Sequence, residues 1–319
     1  MEHDPLITIL VPCFNEEEML PLFYKDVCGI IDTMGDYRWE LLFVNDGSRD
    51  KTRAIIDLMR KADKRISFVD LSRNFGKEAA MLAGLDYAKG DAVIIMDADL
   101  QDPPSLIPDM LKYWEDGYDD VYCKRKSRGV ESWIKKRLSL AYYRLLQKMT
   151  RFDVLPNVGD FRLLDRKCVD ALKQLRETER YTKGLFAWIG FKKKELLFDR
   201  ENRRKGHSAW SIPQLFNLAM EGITSFSMVP LRLSSILGMV ISVFAFIYMG
   251  ITFVKAIIWG DPVAGYPSLM TVILFLGGVQ LLSIGIVGEY LGKVFNESKH
   301  RPPYIVDKYE SGQEVSDSV

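Results

Sequence analysis

The chain has 319 residues, with Lys+Arg and Asp+Glu balanced at 43 each, 48% apolar and 27% charged residues. That length fits one sizeable domain plus a further element, and the composition excludes a disordered or collagen-like chain. With no global cationic excess, nucleic acid is not an expected partner. Cys13, Cys28, Cys123 and Cys168 are widely spaced, form no C-x-x-C pair and read as reduced thiols. The only histidines are His3, His207 and His300. A zinc site built from His and Cys is therefore not expected.

No apolar run precedes the first strand-like segment, so no cleavable signal peptide is expected. Apolar, β-branched runs then occur at Ile7–Val11, Leu41–Val44, Phe68–Leu71 and Ala92–Met96. Helix-like stretches lie between them at Glu17–Ile31, Thr52–Lys64, Lys77–Ala88 and Ser105–Trp114. Strands alternating with helices of this length predict an α/β fold with a doubly wound, mainly parallel sheet. Such sheets bind ligands at the carboxyl ends of their strands.

Four clusters sit where that rule places a site. VPCFNEE ends the first strand with Pro12, Phe14, Asn15, Glu16 and Glu17, and VNDGSRDKT follows the second with Asp46, Ser48, Asp50 and Thr52. MDADLQDPP follows the strand VIIM with Asp97, Asp99, Gln101 and Asp102, and VGDFRLLDR brings Asp160. Asp after a strand is often only a turn former or a helix cap, and Asp50 reads as the cap of the helix that begins near Lys51. Asp97 and Asp99 are different. Two like charges behind an apolar strand are costly unless a cation neutralises them. Carboxylates in this pattern suit a hard divalent ion, Mg²⁺ or Mn²⁺, which neutralises charge developing on a departing diphosphate. Asp46 is placed to accept hydrogen bonds from a base or a ribose hydroxyl. Neither a Walker A loop nor G-x-G-x-x-G occurs, which removes the main support for an ATPase or a dinucleotide enzyme.

A basic section follows. Lys124–Arg151 holds ten Lys/Arg against one acid, Glu131. Within it Ile134, Leu138, Tyr142, Leu145 and Met149 recur at helical spacing, predicting an amphipathic helix over 132–149 on an anionic membrane surface. A second amphipathic candidate, 211–228, leads into the first of two apolar runs. Lys192–Lys194 reads as a solvated charge run. Leu233–Val254 is uncharged over 22 residues and Leu269–Gly288 over 20. At about 1.5 Å per residue each covers the roughly 30 Å core of a bilayer. Two transmembrane helices are therefore expected, at about 233–254 and 269–290. Cations cluster outside this pair (Arg232, Lys293, Lys299, Arg301), with Trp259 and Tyr266 in the short connection, so both ends are expected in the cytoplasm. The predicted domains are 1–228 (cytoplasmic catalytic), 229–292 (membrane) and 293–319 (cytoplasmic tail). That tail, ending YESGQEVSDSV, is polar and expected to be disordered.

PCFNEE, NDGSRDKT, DADLQDPP and GDFRLLDR, in that order, resemble the family 2 glycosyltransferases of GT-A fold. More narrowly, the chain is similar to the polyprenyl-phosphate glycosyltransferases, which include dolichyl-phosphate mannose synthase and bacterial undecaprenyl-phosphate (bactoprenol) glucosyltransferases. The resemblance runs over most of the chain, two C-terminal spans included. No Q-x-x-R-W occurs, which tells against the processive polysaccharide synthases.

The resemblance implies that Pro12, Phe14, Glu16 and Asp46 contact the nucleoside, and that Asp97, Asp99 and Gln101 hold the metal and the donor diphosphate. It implies Arg125, Arg137, Arg203 and Lys205 as cations for the acceptor phosphate, and Asp160 as a candidate general base. Where the related segment carries R-x-x-G-x-S-K, this chain reads RRKGHSA, with Ala209 replacing the lysine, so Arg204 or Lys205 is left to supply that contact. A lipid phosphate is already largely dianionic at neutral pH. Asp160 is accordingly weighted as a positioning or electrostatic group rather than an obligatory base.

The expected reaction is inverting transfer of one sugar from a nucleotide diphosphate sugar, UDP-glucose or a UDP-N-acetylhexosamine, to a polyprenyl phosphate at the cytoplasmic face of the inner membrane. The same chemistry on diacylglycerol is the alternative, followed by a non-catalytic subunit that binds nucleotide sugars. The resemblance implies a homo-oligomer, a tetramer.

Overall fold

The computed structural model describes residues 4–126, 147, 158–178, 180–198, 229–259 and 265–312. The chain divides into two compact units, Met1–Ala219 together with Arg301–Val319, and Met220–His300.

In the first unit the four apolar runs form strands Leu6–Cys13 (β1), Arg38–Asn45 (β2), Ile66–Leu71 (β3) and Ala92–Ile95 (β4). Helices Leu20–Ile31 (α1), Thr52–Ala62 (α2), Lys77–Tyr87 (α3) and Ile107–Glu115 (α4) alternate with them. The first helix starts later than Glu17 because the Glu16 carbonyl is used by the amides of Met19 and Leu20 in the entry turn. β1, β2 and β3 are buried along almost their whole length, as strands with both faces covered must be. α3 lies close on β1 because Gly84 has no side chain: a Cβ there would come within 2.0 Å of Leu10.

The sheet is larger than the apolar runs foretell. Asp120–Arg125 (β5), Val158–Asp165 (β6), Lys193–Phe198 (β7) and Val306–Glu310 (β8) extend it to the order β7-β5-β6-β4-β1-β2-β3-β8. Strands β1 to β5 and β7 share one direction, whereas β6 and β8 run against their neighbours. Helices Arg166–Gln174 (α5) and Thr182–Trp188 (α6) separate β6 from β7. The β5–β6 pairing encloses an ion pair, Arg162 to Asp120 at 3.1 Å, with side chains 2% and 0% exposed. The Phe186 ring lies 3.7 Å from that guanidinium. Removing one member of such a pair strands a buried charge. All four cysteines are buried and unbridged.

Over residues 306–312 the C-terminal tail is not a free polar segment. β8 pairs antiparallel with β3, Tyr309 opposite Val69, and Arg60 of α2 is ion-paired with Glu310. Tyr309 packs on Tyr87 at 4.5 Å between ring centroids, and the Gly312 amide donates to Ser67 Oγ at 2.9 Å. A strand edge left open by β3 is thereby covered. Lys192–Lys194 is likewise not simply solvated. The Lys192 and Lys194 ammonium groups lie 4.1 Å from the Tyr118 ring and 4.6 Å from the Tyr113 ring. Lys193 donates to the Phe186 and Ala187 carbonyls. Lys192 stays exposed while Lys193 and Lys194 are half-buried, so the run packs on the domain with part of its surface in water.

The second unit contains helices Val229–Trp259 (α7) and Tyr266–Ser298 (α8), of 31 and 33 residues, which pack on one another. Both exceed the expected spans, and at about 1.5 Å per residue both are longer than a bilayer core is thick. Their apolar side chains face outward: Leu233 is 63%, Phe244 68% and Leu281 72% exposed. Surface of that kind calls for a lipid or protein partner.

Candidate active site

The loops at the carboxyl ends of β1 to β4 are tied to one another in sequence. After β1, the Asn15 amide donates to Ser48 Oγ at 3.0 Å, and Asn15 Oδ1 accepts from the Arg49 amide at 2.9 Å. The Glu16 amide reaches Thr52 Oγ1 at 2.8 Å. Asp50 stands one residue before Lys51, which is the cap residue of α2, and accepts from the amides of Thr52 and Glu17 at 3.0 and 3.1 Å. The second loop is tied to the third by Asp46. Its two carboxylate oxygens each accept a backbone N–H, from Phe75 at 2.7 Å and Gly76 at 2.9 Å. Gly47 permits this closeness. Its φ is +64°, and a Cβ would fall 2.4 Å from the Arg73 carbonyl carbon.

These loops wall a cleft of about 310 Å³ whose lining includes Pro12, Phe14, Glu16, Asp46, Asp97 and Asp99. Six residues chosen from three separate clusters thus share one cavity. Asn15 and Leu100, at φ 55° and 57°, hold left-handed backbone in two of its loops. Gln101 is buried at 6% exposure and is not part of that lining; its amide donates to Asp99 Oδ1 at 3.1 Å. Its side-chain Oε1 is buried without a hydrogen-bond partner. Asp160, on β6, joins the group through Lys77, whose ammonium lies 2.7 Å from Asp160 Oδ2 and 2.7 Å from Asp97 Oδ1. Asp160 Oδ1 is buried with no partner. Arg125 ends β5, near enough to Asp102 for its charge to bear on that carboxyl. Arg137, Arg203 and Lys205 lie outside the described residues, as do both amphipathic stretches apart from Gln147.

The site's electrostatics follow from these neighbours. Burial pushes Asp46 up, against the pull of the Phe75 and Gly76 amides and of Arg73. Burial also pushes on Asp160, yet Lys77, with Lys183 and Arg162, holds its carboxyl below the usual range. Lys77 resists the desolvation that would discharge it, because Asp97 and Asp160 raise its pKa. Asp102 is the exception. Burial first, then the charges of Asp97 and Asp99, push it up to about 7, with Arg125 and Lys77 opposing.

Lys77 is the residue that sequence reasoning missed. It stands behind a Gly at the start of a helix, on the sheet edge where the acidic clusters converge, and that position was the available signal. Asn74 and Gly76 also line the cleft, and nothing in their local pattern marked them out.

The donor set fits a divalent ion. Asp97 and Asp99 offer hard carboxylate oxygens in the cleft lining, and Gln101, two residues after Asp99, carries a buried amide oxygen without a partner. Among the described residues no three His, Cys, Asp or Glu side chains converge. The remaining ligands of such an ion would be water and phosphate oxygens, which is how Mg²⁺ is commonly held.

Residues 8–173 match the model of glycosyl transferase family 2. The chain belongs to that family. Residues 229–294 match the GtrB C-terminal hairpin, so this glycosyltransferase carries α7 and the greater part of α8 as a known module. A protein of Synechocystis sp. described as an uncharacterized glycosyltransferase is 47% identical over 301 residues, 94% of each chain. The bactoprenol glucosyl transferase of Shigella phage SfV is 43% identical over 300 residues, 94% of this chain and 97% of the phage protein. A prophage bactoprenol glucosyl transferase homolog of Escherichia coli K12 is 42% identical over 302 residues, covering 95% and 98%.

Proposed function

We propose that this family 2 glycosyltransferase moves one sugar, glucose or an N-acetylhexosamine, from a UDP-sugar to undecaprenyl or another polyprenyl phosphate, with inversion. The observation that carries this reading is the cleft in which Asp97 and Asp99 face Glu16, Phe14 and Asp46. Near full-length similarity to proteins named bactoprenol glucosyl transferase, hairpin included, supports the lipid acceptor and the glucosyl group.

Each residue then has a task. Pro12 and Phe14 offer apolar contact to the base, the Phe14 ring being 43% exposed. Glu16 and the wall fixed by Asp46 take the ribose side. Asp97, Asp99 and Gln101 would hold Mg²⁺ or Mn²⁺, which supplies neutralisation of charge on the leaving diphosphate. Arg125, with Arg137, Arg203 and Lys205, would hold the acceptor phosphate. A phosphate oxygen of the lipid attacks the anomeric carbon as the bond to the diphosphate breaks, so one C–O bond replaces another on the opposite face. The dianionic acceptor has no proton to lose. Asp160, kept ionised by Lys77, therefore serves to orient charge in the cleft.

On this reading the chain is a multi-pass inner-membrane protein with its catalytic domain in the cytoplasm, and the length and apolar surface of the two helices support it. Support for a hairpin with both ends on one side comes from β8. The chain after the second helix pairs with β3 of the catalytic sheet, so both lie on the same side of any bilayer.

The test uses the full-length protein in detergent with undecaprenyl phosphate and diacylglycerol as competing acceptors, labelled UDP- and GDP-sugars, and chelator against added Mn²⁺ or Mg²⁺. A labelled lipid of inverted anomeric configuration, lost with chelator and restored by either ion, is expected. Labelling of diacylglycerol instead of the polyprenyl phosphate would overturn the acceptor assignment.

A further inference from the structure

Lys77 belongs to none of the acidic motifs, yet its ammonium makes close charge contacts with two of their carboxylates. Its ammonium lies 2.7 Å from Asp97 Oδ1 and 2.8 Å from Asp97 Oδ2, so one cation engages both oxygens of that carboxylate. The same nitrogen lies 2.7 Å from Asp160 Oδ2. The two partners are unequal: the Asp97 side chain is 35% exposed and that of Asp160 only 11%. Water can replace the ammonium at Asp97 far more readily than at Asp160. Lys77 itself is 44% exposed on the cleft wall, so its long side chain has room to withdraw.

A divalent ion at Asp97 needs the same lone pairs that the ammonium uses. It also repels that ammonium across a distance too short for solvent to screen. Resting on the metal reading proposed above, we infer that Lys77 is a counter-ion that competes with the divalent ion for Asp97. A diphosphate changes the balance, because its negative charge sits against both cations at once. The ion then takes Asp97 while Lys77 keeps Asp160 and turns its remaining donors to phosphate oxygen. Lys77 is in this sense a positioning residue that couples metal entry to donor entry. Without nucleotide the ion is held weakly, and with it tightly.

The experiment is direct Mn²⁺ binding, read from the electron paramagnetic resonance signal of the free ion. It uses the full-length protein in detergent, with and without UDP or GDP, as wild type, Lys77→Met and Lys77→Arg. Removing an adjacent opposite charge changes a carboxylate's affinity for a competing cation by about tenfold or more. Lys77→Met should therefore bind Mn²⁺ alone about tenfold more tightly than wild type, with a smaller further gain from nucleotide. Lys77→Arg, which keeps the charge, should stay near wild type. Lys77→Gln, with circular dichroism as the fold check, stands in if the Met variant does not fold. Unchanged or weaker Mn²⁺ binding in the uncharged variants, beside a wild type that binds Mn²⁺ with nucleotide, would overturn the role of Lys77 alone. A wild type that binds no Mn²⁺ even with nucleotide would overturn the metal reading and the competition together.

Discussion

Asp46→Asn separates two ways in which this residue can matter. The carboxylate accepts the amides of Phe75 and Gly76, one on each oxygen, and so holds the β3–α3 loop against the loop after β2. Asparagine keeps the shape but has one acceptor oxygen, and turns an N–H toward the second amide. One hydrogen bond to a charged group, worth about 1.5–3 kcal/mol, is lost, and the other falls to the neutral range of about 0.5–1.5 kcal/mol. Part of this is offset, because burial penalises the ionised carboxylate and the amide escapes that cost. A net loss of about 2 kcal/mol corresponds to local opening roughly 30-fold more frequent. Hydrogen–deuterium exchange of the full-length protein, followed by mass spectrometry of a peptide covering 72–78, reads it directly. Exchange at Phe75 and Gly76 should accelerate by about that factor with no donor added, while the peptides of β1 and β2 stay protected. If exchange without donor is unchanged and only donor affinity falls, Asp46 acts by touching the nucleoside, and the clamp is refuted.

Two further outcomes are expected. Asp102 is pushed up to about 7 from an ordinary 3.8, so its protonated form favours the folded state; that contribution is full below about pH 4 and is lost as pH rises through 7. In chelator, the Tm of Asp102→Asn minus that of wild type should grow between these values and then level off; a difference that is flat with pH would contradict it. Ending the chain before Val306 removes β8 with its Arg60–Glu310 ion pair and Tyr87–Tyr309 contact, and exposes the edge of β3. The shortened protein should melt at a lower temperature and self-associate in size-exclusion chromatography, and an unchanged Tm would show that the strand adds nothing to the sheet.

What the amino-acid sequence determined by itself is the part governed by local pattern. β1 to β4 were legible because each is an apolar run long enough to be covered on both faces, and their order with the helices fixes which ends face the cleft. The acidic clusters were legible for the same reason: a carboxylate directly after a buried strand has few places to go. The two long helices declare themselves by the absence of charge over their spans. Tertiary structure alone decided the rest. β7 and β8 are written in charged residues, KKELLF and VDKYE, and become strands only because β5 and β3 offer unpaired backbone to bond with. Asp46 read as a ligand contact, and the sequence did not show that each of its oxygens also accepts an amide 29 or 30 residues along the chain. Lys77 looked like any lysine at a helix start. Its meaning comes from β4 and β6 carrying Asp97 and Asp160 to the same nitrogen, and no local pattern records a meeting of three separate segments.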